Sequence, residues 1–86
     1  MNDKLLIMRA WVQISSYRCN VMKAIGEDVK IPSEIAKDSN IIASHISRVL
    51  NELKQKELVE CMNEEARKGR LYRLTDKGME VYKILR

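Results

Sequence analysis

Residues 41–53 read IIASHISRVLNEL, and the spacing within them decides the fold. Ile46, Val49, Leu50 and Leu53 fall at i, i+3, i+4 and i+7, the repeat of one buried helical face. At about 100° per residue, Ser44, Arg48, Asn51 and Gln55 point away from that face, with His45 and Ser47 on its flanks. A helix that meets only solvent is expected to carry Glu and Lys at pair spacing. This one carries short hydrogen-bonding side chains, a His, an Arg and a single acid, Glu52. Such a face is expected to meet a partner rather than water.

On the N-terminal side, Asp38-Ser39-Asn40 interrupts the pattern, and Asn is the non-Gly residue that best tolerates a left-handed backbone. Before it, Pro32 to Lys37 predicts a short helix, with Pro at the first position and Glu34 complementing the helix dipole. Val29-Lys30-Ile31 has room for only a brief strand. Further back, Asp3 to Ile25 is helical in pattern, with Ile14, Tyr17, Val21 and Ile25 as an apolar stripe. Ser15 or Ser16 is able to cap a fresh start, so the segment is one long helix or two shorter ones, and Gly26 ends it. On the C-terminal side, Leu58 to Met62 suits a strand, Asn63 to Gly69 is polar and turn-like, and Leu71 to Leu74 alternates as a second strand. Tyr72 and Leu74 share that strand's inner face. Gly69 is expected at positive φ in the turn, and Thr75 caps a final helix over 76–86.

No repeat, low-complexity tract or linker divides the 86 residues, which are expected to form one small domain spanning 1–86. Arg9 stops the apolar run Leu5-Leu6-Ile7-Met8, so no membrane span is expected, and no small-residue cleavage site follows it, so no signal peptide is expected. Cys19 and Cys61 stand far apart and outside any metal or redox spacing. They predict no disulfide framework, small apolar packing roles and a reducing, cytoplasmic setting. The net charge is +4, but residues 66–86 carry +5 and residues 1–65 carry −1. The excess centres on Arg67-Lys68-Gly69-Arg70, a local cluster of the kind a polyanion needs. With His45 as the one histidine, no Gly-rich phosphate loop and no nucleophile beside a base, no catalytic, cofactor or metal site is expected.

The order of elements is helix, brief strand, helix, tight turn, helix, strand, basic loop, strand, helix. Two helices joined by such a turn make a helix-turn-helix, and the following hairpin is a wing. Three stretches in this order, PSEIAK at 32–37, SHISRVLNELKQKELVE at 44–60 and RKGRLYRLTDKG at 67–78, resemble winged helix-turn-helix transcriptional regulators of the MarR and ArsR type. The small forms common in archaea are the most similar. The resemblance covers Arg18 to Gly78 and implies a mainly α fold with a small antiparallel β-hairpin wing.

It also implies that 43–55 is a recognition helix in the major groove of double-stranded DNA, with Ser44, His45, Ser47 and Arg48 facing it. The wing tip, 63–70, would place Arg67, Lys68 and Arg70 on phosphate or in the adjacent minor groove. The residue types agree independently: Arg48 suits O6 and N7 of a guanine or a phosphate, and Ser44, Ser47 and Asn51 are short enough to approach bases. Three departures from the pattern stand out. Glu57 occupies a position that is usually Gly, Ile31 offers no capping oxygen before the Pro, and the clustered metal ligands of metal-sensing ArsR members are missing. Trp11, with Leu5, Met8 and Val12, either completes the core or forms an apolar patch. Together with Met79, Val81, Tyr82, Ile84 and Leu85 it suggests a homodimer built on the terminal helices. A protein-interaction winged helix or an RNA-binding one are the other uses of such a sequence.

Overall fold

The structure, a computed structural model, describes residues 3–86; residues 1 and 2 of the expected span lie outside the described residues. The elements in order are α1 (Asp3–Gln13), α2 (Ser16–Ile25), α3 (Pro32–Ser39), α4 (Ala43–Gln55), β1 (Val59–Cys61), β2 (Tyr72–Leu74) and α5 (Asp76–Ile84). Helices α3 and α4 form the helix-turn-helix, and β1 and β2 form the antiparallel wing with Val59 opposite Leu74 and Cys61 opposite Tyr72. The brief strand expected at 29–31 is a single bridge. Lys30 and Tyr72 exchange both backbone hydrogen bonds, at 3.0 and 2.8 Å.

The first helical segment is two helices. Ser15 has extended backbone and its hydroxyl accepts from Arg18 N at 3.2 Å, which starts α2 afresh. That new start resets the helical phase after Ile14 and takes it out of the expected stripe, while Tyr17 stands in the first turn of α2. Val21 and Ile25 are fully buried, whereas Ile14 is 79% exposed at the corner and Tyr17 lies outside the core.

Both helices of the helix-turn-helix end in the same way. Asn40 (φ 59°) and Glu57 (φ 60°) are left-handed. Asn40 N donates to Lys37 O and Ile41 N to Ala36 O; Glu57 N donates to Lys54 O and Leu58 N to Leu53 O. These paired bonds satisfy the last carbonyls of each helix and turn the chain sharply. At the start of α3, Ile31 lacks a capping oxygen, and Glu34 supplies the compensating half by accepting from Ile31 N at 3.0 Å. Lys30 Nζ joins the ends of α2 and α3 by donating to the Ala24 carbonyl and, at 2.7 Å, to Asp38 Oδ2.

The core lies where α2, α3, α4 and the wing converge. Ile46, Val49, Leu50 and Leu53 fill it from α4, meeting Val21, Met22 and Ile25 of α2, Ile35 of α3, and Leu58, Val59, Tyr72 and Leu74 of the wing. Val12 and Val81 bring α1 and α5 onto the same core. At about 25 cal/mol per Å² of apolar surface, each fully buried aliphatic side chain contributes roughly 1.5–3 kcal/mol. This burial fixes the rotation of α4 and therefore which residues it presents outward. Cys19 and Cys61 are free thiols, half-buried against the core. Among the described residues no helix is long and apolar enough to cross a membrane.

Candidate nucleic-acid interface

With its apolar stripe buried, α4 presents Ser44, Ser47, Arg48 and Asn51 on the surface. Its two flanks have different neighbours. On one, His45 packs against the Tyr17 ring, with centroids 5.3 Å apart and planes tilted by 49°. Glu52 lies further along this flank, accepting from Arg18 Nε at 3.3 Å and from Arg48 NH1 at 3.3 Å. Trp11 completes the junction. Its ring lies 3.9 Å beneath the Arg18 guanidinium and 5.6 Å from Lys56 Nζ, so it belongs to the partly buried rim of the core, capped by cations.

On the other flank, α4 faces the wing across an open cleft of about 300 Å³. Ser47 and Asn51 line it from the helix, and Arg67, Gly69 and Arg70 from the wing, with Tyr72 beneath. Lys54 of α4 and Glu64 of the wing form an ion pair across the same junction. That hydrogen bond holds the Glu64 carboxyl below the usual carboxylate range and raises the Lys54 ammonium above the usual lysine range.

The wing tip is ordered by its own side chains. Asn63 Nδ2 donates to Gly69 O at 3.2 Å, and Asn63 Oδ1 accepts from Leu71 N at 2.7 Å. Gly69 takes φ +67°, as its place in the turn predicts, and nothing crowds it. Arg70 folds back, Nε donating to Ala66 O at 2.8 Å and NH2 to Glu64 O at 3.0 Å. Arg67 and Lys68 are exposed and have no hydrogen-bond or ion-pair partner among the described residues. Two cations are thus free to meet an anion, and a third braces the loop that carries them.

Of the eight residues singled out from the sequence, the cleft brings together Ser47, Asn51, Arg67 and Arg70. Ser44 and Arg48 are exposed on the same helix, His45 lies toward α2, and Lys68 is exposed on the wing. Tyr17, Arg18 and Glu52 also belong to this neighbourhood, and the sequence reading gave them no role in it. Tyr17 leaves the expected core stripe to meet His45, and the Arg18–Glu52 contact arises only when α2 packs on α4.

A recognition-type helix beside a basic hairpin is the architecture of a winged helix-turn-helix protein. The model of that family, described as winged helix-turn-helix, matches residues 12–86, and the chain belongs to it. Solved structures repeat the fold. A double mutant of ZitR from Lactococcus lactis superposes with a TM-score of 0.70 at 21% identity, covering 80% of this chain and 48% of that one. A MarR family transcriptional regulator from Silicibacter pomeroyi gives 0.69 at 18% identity, over 91% of this chain and 58% of that one. A homodimeric winged helix-turn-helix DNA-binding domain from Mycobacterium bovis, a possible ArsR-family transcriptional regulator, gives 0.69 at 15% identity, over 93% and 78%. The chain thus spans about half the length of the ZitR structure. No curated protein matches the chain.

Proposed function

We propose that the protein is a sequence-specific double-stranded DNA-binding transcriptional regulator that acts as a homodimer. In this reading α4 enters the major groove, where Arg48 meets a base edge and Ser44, His45, Ser47 and Asn51 meet bases or phosphates. The wing cations Arg67, Lys68 and Arg70 lie on the phosphate backbone or the adjacent minor groove. The observation that carries the proposal is the cleft in which Ser47 and Asn51 of α4 face Arg67 and Arg70 of the wing, beside the exposed Ser44 and Arg48 of the same helix. It is short-chained and polar on the helix and cationic on the hairpin. The fold shared with transcriptional regulators supports the same reading.

Dimerisation is supported by an apolar groove of about 350 Å³ between α1 and α5, lined by Leu5, Ile7, Met8, Lys77, Glu80 and Val81. Ile7 on its edge is 69% exposed. A dimer would present two copies of α4 to a palindromic site, and the free thiols suit a cytoplasmic location. Selection of bound duplexes from a random library tests the proposal. An enriched palindrome is the expected result. Enrichment of no sequence, or preferential competition by single-stranded or hairpin RNA, would overturn it.

A further inference from the structure

Arg48 is tethered. Its NH1 donates at 3.3 Å to Glu52 Oε2, one turn further along α4. The other oxygen of that carboxylate accepts from Arg18 Nε at 3.3 Å. Arg18 is fixed in turn: NH1 donates to the Trp11 carbonyl at 3.0 Å, and the guanidinium lies over the Trp11 ring. Side-chain exposure falls along this chain of contacts from 54% at Arg48 to 30% at Glu52 and 18% at Arg18. Order therefore extends from the packed corner of α1 and α2 outward to an exposed guanidinium. An isolated surface ion pair does little against the entropy of two long side chains. Here the carboxylate is already held before Arg48 reaches it.

Resting on the DNA-binding role proposed above, the geometry points to Glu52 as a positioning residue that directs Arg48 and so sets base selectivity. A guanidinium has five N–H donors, and the contact with Glu52 engages NH1, leaving Nε and NH2 to address O6 and N7 of a guanine. A guanine therefore meets donors that are already oriented. A phosphate must instead draw the charge away from a carboxylate that Arg18 holds in place. Glu52 acts through Arg48 and touches no base itself.

The test uses the full chain, a duplex enriched by selection from a random library, and a shuffled duplex of the same composition. Glu52→Gln keeps the side-chain shape and removes the charge. Affinity for the shuffled duplex is expected to rise, and discrimination to fall by about fivefold to tenfold. The log–log salt slope on shuffled DNA should steepen by about one unit as Arg48 turns to phosphate. In an Arg48→Ala background the same substitution should leave discrimination unchanged. Arg18→Met keeps an apolar cover on Trp11 and releases the carboxylate from its other side, so it should act in the same direction if Glu52→Gln fails to fold. If Glu52→Gln leaves discrimination and slope at wild-type values while Arg48→Ala collapses discrimination, Arg48 reads without help and the inference is wrong. If Arg48→Ala also leaves discrimination intact, base reading by Arg48 fails and the inference falls with it.

Discussion

Gly78 lies directly against the backbone of Leu58: a β-carbon at position 78 would stand 2.0 Å from the Leu58 carbonyl oxygen. That close approach seats the first turn of α5 on the turn that follows α4. Thr75 locks it, donating to the Glu57 carbonyl at 2.6 Å and accepting from Gly78 N at 2.9 Å. Alanine in a helix ordinarily stabilises relative to glycine by about 1 kcal/mol. Gly78→Ala should do the reverse, costing about 2 kcal/mol or more because the opposing atom is backbone and cannot rotate away. Denaturant unfolding measures the sign. A stabilised variant would show that α5 is able to lift off the turn without loss.

Glu57 sits in the position that closes α4, left-handed at φ 60° with its side chain in solvent. Nothing on the side chain offsets the steric cost of that backbone. Glu57→Gly should raise unfolding free energy by about 1 kcal/mol, despite glycine's larger unfolded-state entropy. Loss of stability on equilibrium unfolding would contradict this.

Turns such as these were legible because neighbouring residues determine them. Asn40, Gly69 and Thr75 each have the conformation or hydrogen bond that their local sequence predicts, whereas the left-handed Glu57 follows from the resemblance, which puts Gly at that position. The inward face of α4 was legible for a similar reason, since four apolar side chains at helical spacing admit one orientation. Ile14 was misread because helical spacing presumes an unbroken helix, and the Ser15 cap separates it from Val21; Tyr17 shares α2 with Val21 but sits in its first turn, where it meets His45 at the edge of the core. Of the tether from Trp11 to Arg48, only the Arg48–Glu52 link, at i,i+4 on α4, is local in sequence. Arg18 meets Trp11 from 7 residues away and Glu52 from 34, so packing of α2 against α1 and α4 creates the rest.

The Lys54–Glu64 pair makes attachment of the wing to α4 pH-dependent. Because the Glu64 pKa is lowered by Lys54 in the folded chain, its contribution is complete above the ordinary carboxylate range. It is lost as pH falls through the lowered value. The raised Lys54 pKa acts at the other end: its contribution is complete below the ordinary lysine range and lost as pH rises through the raised value. The protection of wing amides, exchange taken relative to the intrinsic rate at each pH, should therefore fall at both extremes. Glu64→Gln should remove the acid limb. An unchanged acid limb would assign it to another carboxylate.

The groove between α1 and α5 predicts the assembly state. Light scattering at micromolar concentration should give twice the 10.0 kDa chain mass. Ile7, exposed on the groove's edge, should be covered in the dimer, so Ile7→Glu should shift the protein toward monomer while leaving the helical circular dichroism intact. A wild-type monomer with no concentration dependence would remove the dimer.

The wing and α4 should contribute differently to DNA binding, gripping on one side and reading on the other. Arg67 and Lys68 are solvated cations, and phosphates carry no sequence information directly. Replacing Arg67, Lys68 and Arg70 together by Ala should weaken selected and random duplexes alike, flattening the slope of log affinity against log salt by up to about three units. Arg70 also ties the carbonyls of Glu64 and Ala66, so its replacement alone should quicken amide exchange across the loop. Arg67→Ala should leave exchange there unchanged. Arg48→Ala should cost about 1–3 kcal/mol on the selected duplex and much less on random DNA, relaxing preference at one base pair. The two sets of variants should thus differ in kind, one in salt dependence and the other in discrimination. If Arg48→Ala lowers both affinities equally while the wing variant loses discrimination, the wing reads the sequence and α4 supplies the grip.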